Sequence, residues 1–225
     1  EPATVLLAPN AGVTTTTLSA SPGASSYGQP VTLTATVHNG NAPTGFVEFS
    51  ANDFYIAGCE SVALTGGQAQ CVTSALPIGT NTLKATYGGD TGNAASSGTL
   101  SYEVTRATVT LTITAHTPDP SAVLSPVMVS VALVVAPGTG TPTGTVAVSR
   151  GVDGCTITLP ATSCSFSPSV AGTAAIAAQY GGDANFAPQS AAPVSHTTTA
   201  LPQAITIPAI PDLALGNAPF PVSAT

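Results

Sequence analysis

Val31-Thr32-Leu33-Thr34-Ala35-Thr36-Val37-His38 puts an apolar residue at every odd position and a threonine or histidine at every even one. A period of two sustained over eight residues belongs to a strand with one buried and one wetted face. The same alternation runs through Gly45-Phe46-Val47-Glu48-Phe49 and Thr82-Leu83-Lys84-Ala85-Thr86-Tyr87, which predicts Val47, Phe49, Leu83, Ala85 and Tyr87 as core. Twenty prolines and 22 glycines punctuate these runs, and no stretch keeps a helical period. An all-β sandwich is the expected fold.

Outward from that strand, the chain repeats itself. Gly28-Gln29-Pro30-Val31-Thr32-Leu33, Pro43-Thr44-Gly45 and Tyr87-Gly88-Gly89-Asp90 recur as Ser125-Pro126-Val127-Met128-Val129, Pro142-Thr143-Gly144 and Tyr180-Gly181-Gly182-Asp183. Tyr87 and Tyr180 are 93 residues apart, Pro43 and Pro142 are 99. That period is far longer than a solenoid unit, so each copy is expected to hold its own core. Val104-Thr105-Arg106-Ala107-Thr108-Val109, between the copies, has no Gly, Pro or Ser, which predicts a short, stiff joint. A lead of residues 1–13 and a tail of residues 201–225 fit no whole domain, and the chain reads as a slice of something longer.

Composition removes several function classes. Three Lys+Arg against ten Asp+Glu give a net charge of -7, and three cations make no basic stripe for nucleic acid. Hydrophobic content of 43% argues against disorder. The most apolar run, Val127 to Ala136, is too short to span a membrane and is interrupted by Ser130. No signal peptide is visible, and Glu1-Pro2 reads as a processed or cut end.

The four cysteines come one pair per copy, Cys59 with Cys71 and Cys155 with Cys164. Their spacing is too wide for a metal knuckle, and His38, His116 and His196 are scattered singly. Disulfides are expected, each clamping a hairpin or loop around Thr65-Gly66-Gly67-Gln68 or Leu159-Pro160-Ala161. Closing such a loop stabilises by roughly 3 kcal/mol in the chain-entropy account. Their presence points to an oxidising, extracellular or cell-surface location.

The ordered set of motifs resembles a bacterial Ig-like domain (group 3 type) of the kind repeated in large surface and secreted proteins. Those motifs are the Thr-rich first strand, Gly28-Gln29-Pro30-Val31-Thr32-Leu33, Pro43-Thr44-Gly45-Phe46-Val47-Glu48-Phe49, Gly66-Gly67-Gln68-Ala69-Gln70 and Leu76-Pro77-Ile78-Gly79 through Tyr87-Gly88-Gly89-Asp90. The resemblance implies tandem immunoglobulin-like β-sandwiches at 14–107 and 108–200, used as stalk, spacer or adhesive module. It implies no active site and no cofactor. Gln203 to Thr225 resembles the opening of a different, MBG-like repeat.

Candidate sites are few. Asp90 and Asp183 are weak calcium candidates, since calcium wants six to eight oxygens and each stands nearly alone; a turn-holding role is favoured. Tyr87 and Tyr180 read as core before they read as sugar-stacking platforms, and 5% aromatics without Trp supply a carbohydrate surface poorly. No His is expected beside a nucleophile, and the glycine-rich turns precede strands, so neither catalysis nor a phosphate cradle is expected. Glu48 and Lys84 are expected to pair across neighbouring strands, as Ala147 and Ala177 replace both in the second copy. Lys84, the sole lysine, reads as outward, which disfavours an isopeptide cross-link. Thr14 to Thr17 and Thr197 to Thr199 read as strand and surface residues rather than glycosylation sites. Where the first copy shows Thr32, Thr34, Thr36 and His38 outward, the second shows Met128, Ser130, Ala132 and Val134. Met128, Ala132 and Val134 therefore form a candidate face for another subunit.

These readings predict a non-enzymatic extracellular module, a semi-rigid stalk or spacer of a bacterial surface protein or adhesin, with protein partners or self-association. One alternative is a homopolymer in which strands at Val5 to Leu7 and Ile205 to Ile207 complete a neighbour's sheet. Another is an accessory segment of a secreted hydrolase.

Overall fold

The computed structural model describes residues 11–206. They contain 18 strands and no helix. The first nine are β1 (Thr14–Ser21), β2 (Ser25–Ser26), β3 (Val31–Asn39), β4 (Phe46–Ala51), β5 (Phe54–Tyr55), β6 (Val62–Ala63), β7 (Gln68–Thr73), β8 (Gly79–Tyr87) and β9 (Ser96–Thr105). The rest are β10 (Val109–Thr117), β11 (Ser121–Ala122), β12 (Val127–Val135), β13 (Thr145–Arg150), β14 (Asp153–Thr158), β15 (Ser163–Phe166), β16 (Gly172–Tyr180), β17 (Gln189–Ser190) and β18 (Val194–Thr199).

They build two Ig-like sandwiches. In the first, a β1-β3-β7 sheet faces a β2-β9-β8-β4-β5 sheet, with β6 added to β4. In the second, β10-β12-β15 faces β11-β18-β16-β13-β14, with β17 on β16. The alternation of residues 31–38 is what fills the first interior: Val31, Leu33, Ala35 and Val37 are buried against Val47, Phe49, Leu83, Ala85 and Tyr87. Val127, Val129, Val131, Val146, Val148, Ile176, Ala178 and Tyr180 do the same in the second. Burying such side chains stabilises by about 1.5–3 kcal/mol each, the principal force closing each pair of sheets.

The chain crosses between its two sheets at the end of its first strand. In the first sandwich β1 pairs antiparallel with β3, and after Ser21 the chain moves over so that β2 pairs parallel with β9. In the second, β10 pairs with β12 and β11 pairs parallel with β18. β10 carries one residue more than β1, absorbed as a register shift between Ile113 and Ala115. This bulge lets His116 keep the inward register that Ala20 has in β1, because Ala20 lies opposite Leu33 and His116 opposite Val129.

Thr14 and Thr16, in the threonine run, are buried rather than on the surface, and both hydroxyls bond to Ser96 Oγ at 2.8 and 2.7 Å. Thr198 is also buried. The expected Glu48–Lys84 ion pair is not formed. β4 and β8 do neighbour one another, but Glu48 lies opposite Thr86 and Lys84 opposite Ser50, two positions out of register. The carboxylate–base contacts among the described residues are both between Asp119 and a histidine, and are ionic only when that histidine is protonated.

Candidate functional site

The paired glycines after each tyrosine build a turn held by aspartate. Asp90 Oδ2 accepts the Thr44 N–H and hydroxyl, both at 2.8 Å, and the Tyr87 hydroxyl at 3.1 Å. Its Oδ1 accepts Gly92 N–H at 2.8 Å and Asn93 Nδ2 at 2.9 Å. Asp183 repeats the arrangement with the Thr143 N–H and hydroxyl, Asn185 N–H and Phe186 N–H. With their lone pairs directed at these donors, both carboxylates serve the turn and the calcium reading has no support. The Thr44 N–H, Asn93 amide and Gly92 N–H hold the Asp90 carboxyl well below the usual range. Burial works against Asp183, but its donors prevail and bring it to about 2. Tyr87 and Tyr180 are fully buried and present no stacking platform. Burial and the Asp183 charge push the Tyr180 phenol up to about 12.

Cys59 is bonded to Cys71 and Cys155 to Cys164. They do more than clamp a hairpin. Cys155 lies on β14 and Cys164 on β15, in opposite sheets, so this bond ties the two layers together at their edge. Cys71 lies on β7, and Cys59 in the segment whose carbonyl accepts Phe49 N–H of β4, so the first bond also links the layers.

Between the sandwiches, three residues separate β9 from β10. Ala107 is bracketed by Asn185 and Ala187, with 2.9 Å backbone bonds to each, and its side chain enters the second core. Tyr27 donates its N–H to Thr105 at 2.9 Å and lays its ring edge-on against Phe186, centroids 5.9 Å apart. Gly28, at φ +75°, abuts the Thr139 backbone of the β12–β13 loop so closely that a Cβ would collide with its carbonyl oxygen. Sequence reading found the short connection but not these contacts, because their partners lie far apart in the chain, Tyr27 from Phe186 and Gly28 from Thr139 by more than a hundred residues.

On the outer face of the β10-β12-β15 sheet, Met128 is 52% and Val134 57% exposed, with Ala132 partly exposed between them. The described residues leave this face open. The equivalent face of the first sandwich carries Thr32, Thr34, Thr36 and His38. A second apolar patch went unread in the sequence: Phe54 and Tyr55, both exposed on β5, border a hollow with Ile56, Leu76 and Pro77.

Two of the three histidines come together, while His38 stays apart on β3. His116 Nδ1 lies 3.2 Å from His196 Nδ1, and Asp119 Oδ1 lies 3.4 Å from the latter. His196 Nε2 is 2.9 Å from Ser121 Oγ, so a histidine does stand beside a serine, against expectation. The connectivity Ser121–His196–Asp119 is that of a hydrolytic triad, but it has no access. Ser121 is 2% and His196 0% exposed, so no substrate carbonyl reaches the hydroxyl. Burial pushes His196 below its ordinary range, with Asp119 opposing. Periodicity hid this cluster: counted in twos from Val109, His116 falls outward, and only the bulge in β10 turns it in.

Arg150 is another unforeseen feature. It is the third inward residue of β13 after Val146 and Val148, and 4% exposed. Its guanidinium donates to the Val170 and Gly172 carbonyls at 3.2 and 2.6 Å. In the first sandwich the Asn81 amide donates to the equivalent Pro77 and Gly79 carbonyls at 2.8 and 3.0 Å. Ala51 occupies the place of Arg150 there, and Ala174 the place of Asn81 in the second copy. The same loop is held from different strands.

Val5 to Leu7 and residues 207–225 lie outside the described residues, so neither exchange strand nor the MBG-like tail is seen; residues 201–206 form no strand. No described helix is long and apolar enough to cross a membrane. Among solved structures, the fibronectin(III)-like modules of Clostridium thermocellum CbhA are 18% identical, with a TM-score of 0.35, over 81% of this chain and 94% of theirs. Three N-terminal domains of the bacteriophage RB49 outer capsid protein Hoc give 14% identity and a TM-score of 0.35, over 86% and 62%. The Escherichia coli adhesin FdeC gives 12% and 0.31, over 82% and 64%. No curated protein matches the chain. Residues 17–114 match the family described as Bacterial Ig-like domain (group 3).

Proposed function

We propose that this chain is a non-enzymatic structural module, a semi-rigid stalk or spacer of a bacterial extracellular or cell-surface protein, with domains at 14–107 and 108–200. The joint carries this reading. Domains in one chain move freely unless their interface holds them. Here a three-residue connection is reinforced by Tyr27 against Phe186, an edge-on pair worth about 0.5–1.5 kcal/mol, and by the backbone contact at Gly28. The two disulfides support an oxidising compartment. NMR relaxation tests the joint: the two sandwiches are expected to tumble as one body in the wild type and as two in Gly28→Asp. Independent tumbling in the wild type would remove the spacer reading.

A second reading rests on the open Met128 and Val134 face, which fits lateral packing against another copy. Met128→Lys with Val134→Glu is then expected to leave both sandwiches folded and abolish association. Association that persists in this double variant counts against the face.

A further inference from the structure

We propose that His116, Asp119 and His196 form a binding site for one transition-metal ion, with Zn2+ the ion this donor set fits, at the sheet crossover of the second sandwich. The donor atoms are gathered for it, one from each residue lying within 4.8 Å of the other two. Zinc bonds of about 2.0–2.1 Å at the tetrahedral angle put neighbouring donors about 3.3 Å apart. His116 Nδ1 and His196 Nδ1 are 3.2 Å apart, His196 Nδ1 and Asp119 Oδ1 are 3.4 Å, and His116 Nδ1 and Asp119 Oδ2 are 3.8 Å. Two imidazoles and one carboxylate, with a water completing the tetrahedron, are ligands zinc takes.

The supporting groups point the same way. A His196 that donates Nε2–H to Ser121 Oγ turns its Nδ1 lone pair toward His116 and Asp119. The Asp119 carboxylate is oriented by Thr197 N–H at 3.0 Å. Asp119 and His116 retain 35% and 20% side-chain exposure, which leaves an entry path and a water position. All four cysteines are bonded to each other and offer no competing thiolate. In the metal-free pair one Nδ1–H donates to the other Nδ1. When zinc takes both Nδ1 lone pairs, His116 gives up that Nδ1 proton and is reprotonated at Nε2, so the neutral pair changes tautomer with no net release of a proton.

The donors belong to the second copy alone. By strand register Ala20 stands where His116 is, and Tyr102 where His196 is; Gly23 is the counterpart of Asp119. In the first sandwich Tyr102 closes the same crossover by donating its hydroxyl to the Pro22 carbonyl at 3.0 Å. Metal coordination would fasten β10 and the crossover to β18 at the place where the first sandwich uses one hydrogen bond.

The test is zinc titration of the tag-free, chelator-stripped full chain by calorimetry, with Co2+ as an absorption probe. Uptake of one Zn2+ per chain and a tetrahedral Co2+ spectrum are expected. His116→Ala and Asp119→Gly each restore the first sandwich's residue, so the fold is expected to survive, as thermal melting in chelator will check. Loss of a supporting hydrogen bond alone costs about 10–100-fold in metal affinity, so removing a ligand is expected to weaken binding by about 100-fold or more. His38→Ala is expected to change nothing. Absence of zinc uptake by the wild type overturns the proposal, as does uptake of equal affinity in both His116→Ala and Asp119→Gly.

Discussion

Charged residues are so few in this chain that nearly every buried one has an assignable task. Arg150 holds two loop carbonyls with a guanidinium that replaces the Asn81 amide of the first copy. Removing it strands both carbonyls, and Arg150→Ala is expected to lower the stability of the second sandwich by about 3 kcal/mol in urea denaturation. Asp90 and Asp183 are held below the ordinary 3.8 by the N–H and O–H groups of their turns. A carboxyl whose folded value is depressed contributes stability that is complete above about pH 4 and lost as pH falls toward its folded value. Unfolding midpoints are therefore expected to drop between about pH 4 and pH 2, with a shallower drop in Asp183→Asn; identical slopes would show that the turn does not sense its carboxylate. Tyr180, raised to about 12, adds an alkaline loss as pH climbs from its ordinary 10.

Strands were legible where alternation was uninterrupted. Val31, Leu33, Ala35 and Val37, like Leu83, Ala85 and Tyr87, follow from a period of two because each strand buries one face. Arg150 obeys the same rule, following Val146 and Val148 inward, but its charge conceals the signal in the sequence. His116 was illegible for a physical reason: one bulged residue reverses parity, and its partner His196 comes from a strand 80 residues away. Cross-sheet ties were legible as disulfides but not as links between layers, because that depends on which sheet each edge strand joins. Reduction is expected to lower the melting temperature, each bond contributing about 2–5 kcal/mol, and Cys155→Ser with Cys164→Ser is expected to affect the second sandwich alone.

At the scale of the whole molecule, two Ig-like sandwiches meet through Tyr27, Gly28, Ala107, Thr139 and Phe186. The internal repeat announced two units, and the Gly-, Pro- and Ser-free connection announced a short joint. The contacts that stiffen it needed the fold, because they join a loop after β2 to loops of the other unit. The most direct measurement is small-angle X-ray scattering with in-line light scattering, over a range of concentrations, on the wild type and Gly28→Asp. A mass fixed at 21.9 kDa and a wild-type profile described by one arrangement, broadened in the variant, is the predicted result. A mass that grows with concentration, or a wild-type profile already as dispersed as the variant's, would contradict the spacer account.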